Sequence, residues 1–396
     1  MAFVCLTTGL LISRFMISLG MLFFMVSALT AGVNTNKINN FFRSKPYIGL
    51  SLIFFLFLIS GLWSDNTDYF LNRMRIKLPF LFLPFAFFIM PYPGRKVMFR
   101  MMLFFIGAVL TSIFWSILQF AMDPGYYIEI YGMGQILPTP VHHIRYSIFI
   151  STALLFCFYI LNDKKYRPFR FSSAVILAIA FIFIIYQHLL AVRTGLMTMY
   201  IVMGCLALIL AGKRHNRVRA ISALAVIGCL LILSFLFVPT IRNKLNYMQY
   251  SLEQFSKGQN IRDLSDSRRL GSIYAGIELI KKNPLKGVGI GDIMDETDAY
   301  LEVHYPDLTQ LELLPHNQYI LTGASTGIAG MLFFIIITLL PLFYLEGYND
   351  LMHLGTHGIL LSSFMVEHTI ESQIGVAAYI FIMLFSIKNM EYRKHA

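Results

Sequence analysis

Arg193 interrupts an apolar stretch, QHLLAVRTGLMTMY, with only Thr194 and Gly195 beside it. A guanidinium facing lipid at the centre of a bilayer costs about 2.5–3.5 kcal/mol, and less at an interface, so it requires an anionic partner or water. A snorkelling arginine in a short turn meets that requirement without a function, and an arginine that binds an anionic substrate meets it with one. Arg268 and Arg269 form a second group, at the start of a segment in which Leu270, Ile273, Ile277 and Ile280 recur at helical spacing. Adjacent arginines usually make a solvated face, yet exposed N–H groups at a helix start favour anions, and guanidinium forks match phosphate oxygens bidentately. His316 follows Pro315 in LLPHNQYI. It reads as a packed or capping histidine, or as a base: an imidazole of ordinary pKa, about 6.5, is neutral enough at physiological pH to accept a hydroxyl proton. Asn317 stands ready to orient that ring or to hold a substrate hydroxyl.

Further basic groups begin apolar stretches: Arg73, Arg75 and Lys77 in NRMRIKLPF, and His142, His143 and Arg145 in PVHHIRYS. Positive clusters just outside an apolar belt suit a lipid with a phosphate head, and suit interfacial anchoring equally. HHIR lacks a third ligand at zinc spacing, so no metal is expected there. In VEHTIES, Glu367 and Glu371 are four apart and share a face only if their helix is unbroken. KGVGIGD (286–292) has phosphate-loop glycines, but no strand precedes it and no Lys-Ser/Thr follows. It reads as a tight turn with close backbone approach. No Asp-x-Asp of the kind a nucleotide-sugar metal needs is found in the basic loops. The inventory points to an anionic, lipid-linked donor held by arginine, and no cofactor motif is recognised in it.

The elements that must position these residues are membrane helices. Only 13% of the chain is charged and 57% is hydrophobic, where a soluble domain carries about 25% charge. Mean hydropathy is +0.65. Spans of roughly 20 apolar residues recur as 2–13, 14–31, 46–64, 76–91, 97–120, 144–161, 172–191, 195–211, 217–238, 317–345, 353–369 and 373–390. That makes about twelve, or eleven if 2–31 is one bent span interrupted by Arg14. The N-terminal stretch has no small-residue cleavage site before a soluble domain and reads as retained. The four cysteines, Cys5, Cys157, Cys205 and Cys229, sit in apolar runs without ligand spacing.

The net charge of +11 follows topology, not nucleic acid. Lys37, Arg43 and Lys45; Arg95, Lys96 and Arg100; Lys164, Lys165, Arg167 and Arg170; Lys213, Arg214, Arg217 and Arg219; and the tail all fall on one side if the spans alternate. By the positive-inside rule that side is the cytoplasm. The opposite face holds the connections near 65–75, 121–143 and 192–194, and a long polar segment of residues 240–315. The chain then divides into spans 1–239, this loop, and spans with a tail at 316–396. A structureless loop of that length is unusual, so an amphipathic helix is expected at about 267–283, capped by Asp266 or Ser267, stopped by Pro284 and lying against the membrane domain.

The order of these features resembles the O-antigen ligase/polymerase family: VRTG after a long apolar helix, RRLGSIYAGIELIKKNPLKGVGIGD in an outward loop, and PHNQYILTGASTGIAG leading into the next span. The most specific part is an arginine followed fifteen residues later by proline and then Gly-x-Gly, which Arg269 and Pro284 satisfy. The family often has Trp four residues after that arginine, and here Ile273 stands there. The resemblance implies an all-α, GT-C-like glycosyltransferase of the bacterial inner membrane, working at the periplasmic face on undecaprenyl-diphosphate-linked glycan without a metal. The acceptor is a sugar hydroxyl of the lipid A core in the ligase branch, and another lipid-linked repeat in the polymerase branch. Arg193 and Arg269 are then expected to neutralise the diphosphate, and His316 to take the acceptor proton in an inverting displacement. Arg268, Asn317, Arg73, Arg75, Lys77, His143, Arg145, Glu367 and Glu371 are expected to bind substrate. A membrane transporter is the alternative of a different class, and it predicts broken helices in paired repeats.

Overall fold

A computed structural model describes residues 1–132, 136–163, 173–212, 217–259 and 261–395. The helices are α1 (Ala2–Ile12), α2 (Arg14–Thr30), α3 (Thr35–Arg43), α4 (Lys45–Ser60), α5 (Thr67–Ile89), α6 (Arg95–Met122), α7 (Pro124–Gly132), α8 (His143–Asn162) and α9 (Ser173–Leu190). They continue as α10 (Arg193–Ala211), α11 (Arg217–Phe237), α12 (Pro239–Lys257), α13 (Ser265–Lys282), α14 (Ile293–His304), α15 (Gln318–Phe343), α16 (Leu351–Val366) and α17 (Gln373–His395). Among the described residues, 7 helices are long and apolar enough to cross a membrane, and shorter apolar helices lie within α1, α2, α11 and α16. Each apolar stretch of the sequence falls on a helix, and the protein is an all-α polytopic membrane protein. The basic residues Lys164, Lys165, Arg167, Arg170, Lys213 and Arg214 lie outside the described residues.

Residues 2–31 are not one bent span. The chain breaks at Ser13 in an extended conformation, and Gly9 then packs on Ile17 and Gly20 on Leu6, which makes an antiparallel hairpin. The core of the bundle is apolar side chains from nearly every span, with Phe57, Phe80, Phe149, Phe156 and Tyr379 buried. At one end the hydroxyls of Tyr47 and Tyr344 donate to the Glu391 carboxylate at 2.9 and 3.0 Å, and Arg393 donates to Asp350 at 2.6 Å. These bonds gather the tail with the connections before α4 and α16.

The other end carries α12, α13 and α14. These helices share a small apolar core of Ile261, Ala275, Leu301 and Leu308, with Phe255 stacked between Tyr274 and Tyr305. Helix α13 begins after Leu264, which offers no side-chain cap, so neither Asp266 nor Ser267 caps it. Its buried face is also not the expected isoleucine stripe. Gly271, Ser272, Ala275, Gly276 and Leu279 are buried, because small residues let α13 approach closely: a Cβ on Gly276 would collide with Ile320 and Pro315. Leu270, Ile273, Ile277 and Ile280 are half-buried on its flank.

The glycine turn 287–291 docks this roof onto the membrane bundle. Helix α15 is kinked at Gly327, whose φ of 77° and ψ of 176° suit only glycine. The kink leaves carbonyls without helical partners, and the turn supplies donors: Val288 N–H to Ala324 O at 2.8 Å and Gly289 N–H to Ser325 O at 3.0 Å. Gly287 and Gly289 have φ of 68° and 93°. With Gly291 donating to Ser64 Oγ at 3.0 Å, these N–H groups are engaged by the protein and form no phosphate cradle.

Candidate active site

The turn between α9 and α10 aims Arg193. Ala191 adopts a left-handed backbone, φ 49°, and its carbonyl accepts from Lys244 Nζ at 2.6 Å. Gly195 lies against Ser147 and Gln187, where a Cβ would not fit. Arg193 therefore starts α10 at the roof end and meets α13, where its guanidinium grips the Asp266 carboxylate bidentately. Nη1 donates to Oδ2 at 3.1 Å, and Nη2 pairs with Oδ1. The Asp266 side chain is 9% exposed and that of Arg193 43%, so the carboxylate backs the arginine and leaves it facing open space. Asp266 is itself held because Ser267 is locked to α12: its N–H donates to Ser251 Oγ at 3.0 Å and its hydroxyl to Ser251 O at 3.1 Å.

His316 precedes α15 and packs against the small-residue face of α13. Ser272 Oγ donates to Arg269 O at 2.8 Å, so its oxygen is left to accept from His316 N–H at 3.2 Å and from His316 Nδ1 at 3.1 Å. With the proton on Nδ1, the lone pair is on Nε2. Burial pulls this imidazole down to about 4, His368 and Arg269 push the same way, and Glu367 opposes them. It is neutral at physiological pH. Helix α16 ends at Val366, and Glu367 is extended. This break turns the Glu367 carboxylate toward Arg269 Nη2, 3.7 Å away, and toward His368 Nδ1 at 3.6 Å.

These groups surround one cavity of about 990 Å³. Arg193, Lys244, Arg268 and Arg269 line it with His142, His143, His316 and, among the described residues, a single carboxylate, Glu367. Burial, followed by repulsion from Arg193, draws Lys244 down to about 8. Arg268 forms no ion pair with a described residue. The chemistry such a surface can perform is to bind a multiply charged anion beside a neutral base.

Other predicted residues sit elsewhere. Glu371 and Glu367 do not share a helix face, since the chain between α16 and α17 is non-helical and turns Glu371 inward. There Glu371 accepts from Lys77 Nζ at 2.6 Å and from Gln318 Nε2 at 3.1 Å, and Arg73 donates to its carbonyl at 2.8 Å. Lys77 and Glu371 side chains are 0% and 1% exposed. Breaking such a pair strands a buried charge, at about 3–5 kcal/mol, and the knot ties α5, α15 and the 367–372 connection together beneath the site. Arg75 is exposed and bonds Asn72 at 3.5 Å. Arg145 is half-buried near Glu367 but is not part of the cavity wall. Asn317 caps α15: its oxygen accepts from Tyr319 and Ile320 N–H, and its amide donates to Met365 O at 3.0 Å. Its side chain thus holds α16 to α15 and is not free to steer the imidazole.

Three features in and around the cavity escape a reading of the sequence. Asp266 looked like a cap. Lys244, with Asn243 and Tyr247 on α12, belongs to a helix whose polar face only its spacing over 239–257 would have revealed. His368 is joined to His316 solely by the fold.

A bundle of apolar helices, roofed by polar helices over a cationic cavity with a neutral imidazole, is a polytopic membrane protein with a positively charged cavity at one end of its spans. Residues 179–335 match the family described as O-Antigen ligase, so that stretch of the chain is similar to that family. The matched segment contains Arg193, Lys244, Asp266, Arg268, Arg269 and His316. No curated protein matches the chain.

Proposed function

We propose that this protein transfers a glycan from undecaprenyl diphosphate to a sugar hydroxyl of the lipid A core, at the periplasmic face of the bacterial inner membrane. The observation that carries the reading is the convergence of Arg193, Arg268, Arg269 and Lys244 with His316 on one cavity. At about 990 Å³ it is at the upper end of the range for ligand pockets, roughly 300–1,000 Å³, enough for a diphosphate and the sugars flanking the reacting bond. His316 Nε2 takes the acceptor hydroxyl proton as the oxygen attacks the anomeric carbon from the face opposite the diphosphate. The carbon–oxygen bond to the carrier breaks, its electron pair leaves with the lipid diphosphate, and the configuration inverts. Arg193 and Arg269 offset the charge growing on the leaving group, as divalent metals do in other transferases.

Assay of a purified protein with defined lipid-linked donor and core acceptor tests the site. Removing a general base costs about 10²–10⁴-fold, so His316→Ala is expected to fall in that range, and Arg193→Ala to lose transfer comparably. Full transfer by both variants, with normal insertion, refutes the mechanism. The repeat-unit polymerase uses the same residues with a second lipid-linked repeat as acceptor. Lipopolysaccharide from a deletion strain separates the two. Bare core with accumulated lipid-linked polymer marks the ligase, and core bearing a single repeat marks the polymerase.

A further inference from the structure

The His316 imidazole has neighbours that a proton acceptor does not require. Glu367 Oε1 is 3.6 Å from His368 Nδ1, and the His316 and His368 rings meet edge to face with centroids 4.9 Å apart. One donor atom from each of His316, Glu367 and His368 lies within 4.8 Å of the other two. His368 Nδ1 is buried and makes no hydrogen bond. An unsatisfied buried polar atom costs about 1–3 kcal/mol, and a metal ion removes that cost by taking the lone pair.

Two imidazoles and one carboxylate form a zinc donor set. With zinc bonds of about 2.0–2.2 Å, tetrahedral donors stand about 3.3–3.6 Å apart. The Glu367–His368 separation of 3.6 Å already matches this value. Ser272 fixes His316 through Nδ1–H, which is the outer hydrogen bond that metal-bound imidazoles usually carry, and leaves Nε2 to face the ion. The open fourth position would point to the cavity that His316 and Glu367 line. Sequence spacing hides the set, since His316 is far from the other two along the chain.

We propose that His316, Glu367 and His368 bind one zinc ion, and that the bound ion silences glycan transfer. Zinc occupies the imidazole lone pair that would accept the acceptor proton, and it draws the Glu367 carboxylate away from Arg269 Nη2, 3.7 Å from it. No group is oxidised or reduced, and chelation reverses the effect. Binding stands on geometry alone, whereas silencing also rests on the role given to His316 above.

The test titrates the full-length protein in detergent with zinc chloride, followed by calorimetry and by metal content after desalting. One zinc per chain is expected, with affinity at least tenfold weaker in both His368→Ala and Glu367→Gln. Zinc should inhibit transfer by the unaltered protein, EDTA should restore it, and His368→Ala should keep its own zinc-free rate when zinc is added. Absence of saturable binding, or binding that survives both substitutions, overturns the site. Binding that depends on both residues but leaves transfer unchanged overturns silencing. Loss of transfer in zinc-free His316→Ala upholds that assignment independently of any metal.

Discussion

Arg193 owes its orientation to Asp266, 73 residues downstream. Hydrogen bonds to a charged partner contribute about 1.5–3 kcal/mol, and the half-open arginine puts this one toward the lower end. Asp266→Ala is therefore expected to lower kcat/KM about 10- to 100-fold, with Asp266→Glu recovering part of the loss. Steady-state kinetics with the lipid-linked donor check this, and an unchanged value would show that Arg193 needs no partner. Lys244 adds a pH dependence. Its ammonium is present below about 8 and is lost as pH rises through that value, since burial and Arg193 disfavour the charge. The kcat/KM for an anionic donor should fall across that interval at constant ionic strength, and Lys244→Met should show a lower, flat profile there. A falling limb that persists in Lys244→Met belongs to another group. The types and spacing of Arg193, Arg269 and His316 marked them out in the sequence, because a charge in an apolar run requires a reason. Asp266 and Lys244 carried no such mark, being ordinary polar residues in a polar segment.

At the scale of elements, the site depends on docking between the glycine turn and the kink of α15. A Cβ on Gly287 would run into the backbone of Ala324 and Ser325, and a side chain at φ 68° adds strain of about 1–3 kcal/mol. Gly287→Ala should lower the melting temperature in detergent and speed proteolysis between α13 and α14. Gly94→Ala, with open space around it, should do neither; equal behaviour of the two variants would mean that the turn does not hold the roof. The close approach of this turn was legible from its alternating glycines. Its partner was not, because Gly327 sits in a long apolar helix where a glycine is otherwise unremarked. The buried face of α13 eluded periodicity for a related reason: close packing selected Gly271, Ala275 and Gly276 over the larger isoleucines.

At the scale of the whole molecule, the bonds joining Tyr47, Tyr344, Asp350 and Arg393 collect the connections at one end, and α12 to α14 close the other. The Lys/Arg bias predicts that the first end faces the cytoplasm. In a Cys229→Ser background, an impermeant maleimide should label Lys286→Cys on intact spheroplasts, and label Arg43→Cys only after permeabilisation. Both positions are exposed, and the reverse pattern would invert the orientation.

Composition and hydropathy were enough to determine a polytopic helical protein, since bilayer thickness sets the length of every apolar run and the lipid tolerates few charges. The sequence also singled out Arg193, Arg269 and His316 as chemical groups. Which charges face the cavity was decided only by the tertiary structure. Lys77 and Glu371 neutralise one another in the bundle, Asn317 is consumed in capping a helix, and Glu367 is turned to the cavity because α16 stops one residue before it. The reason is physical: a charge in a membrane protein is stable beside a counter-charge, a helix end or an open cavity, and sequence spacing does not distinguish these when the partner is remote in the chain.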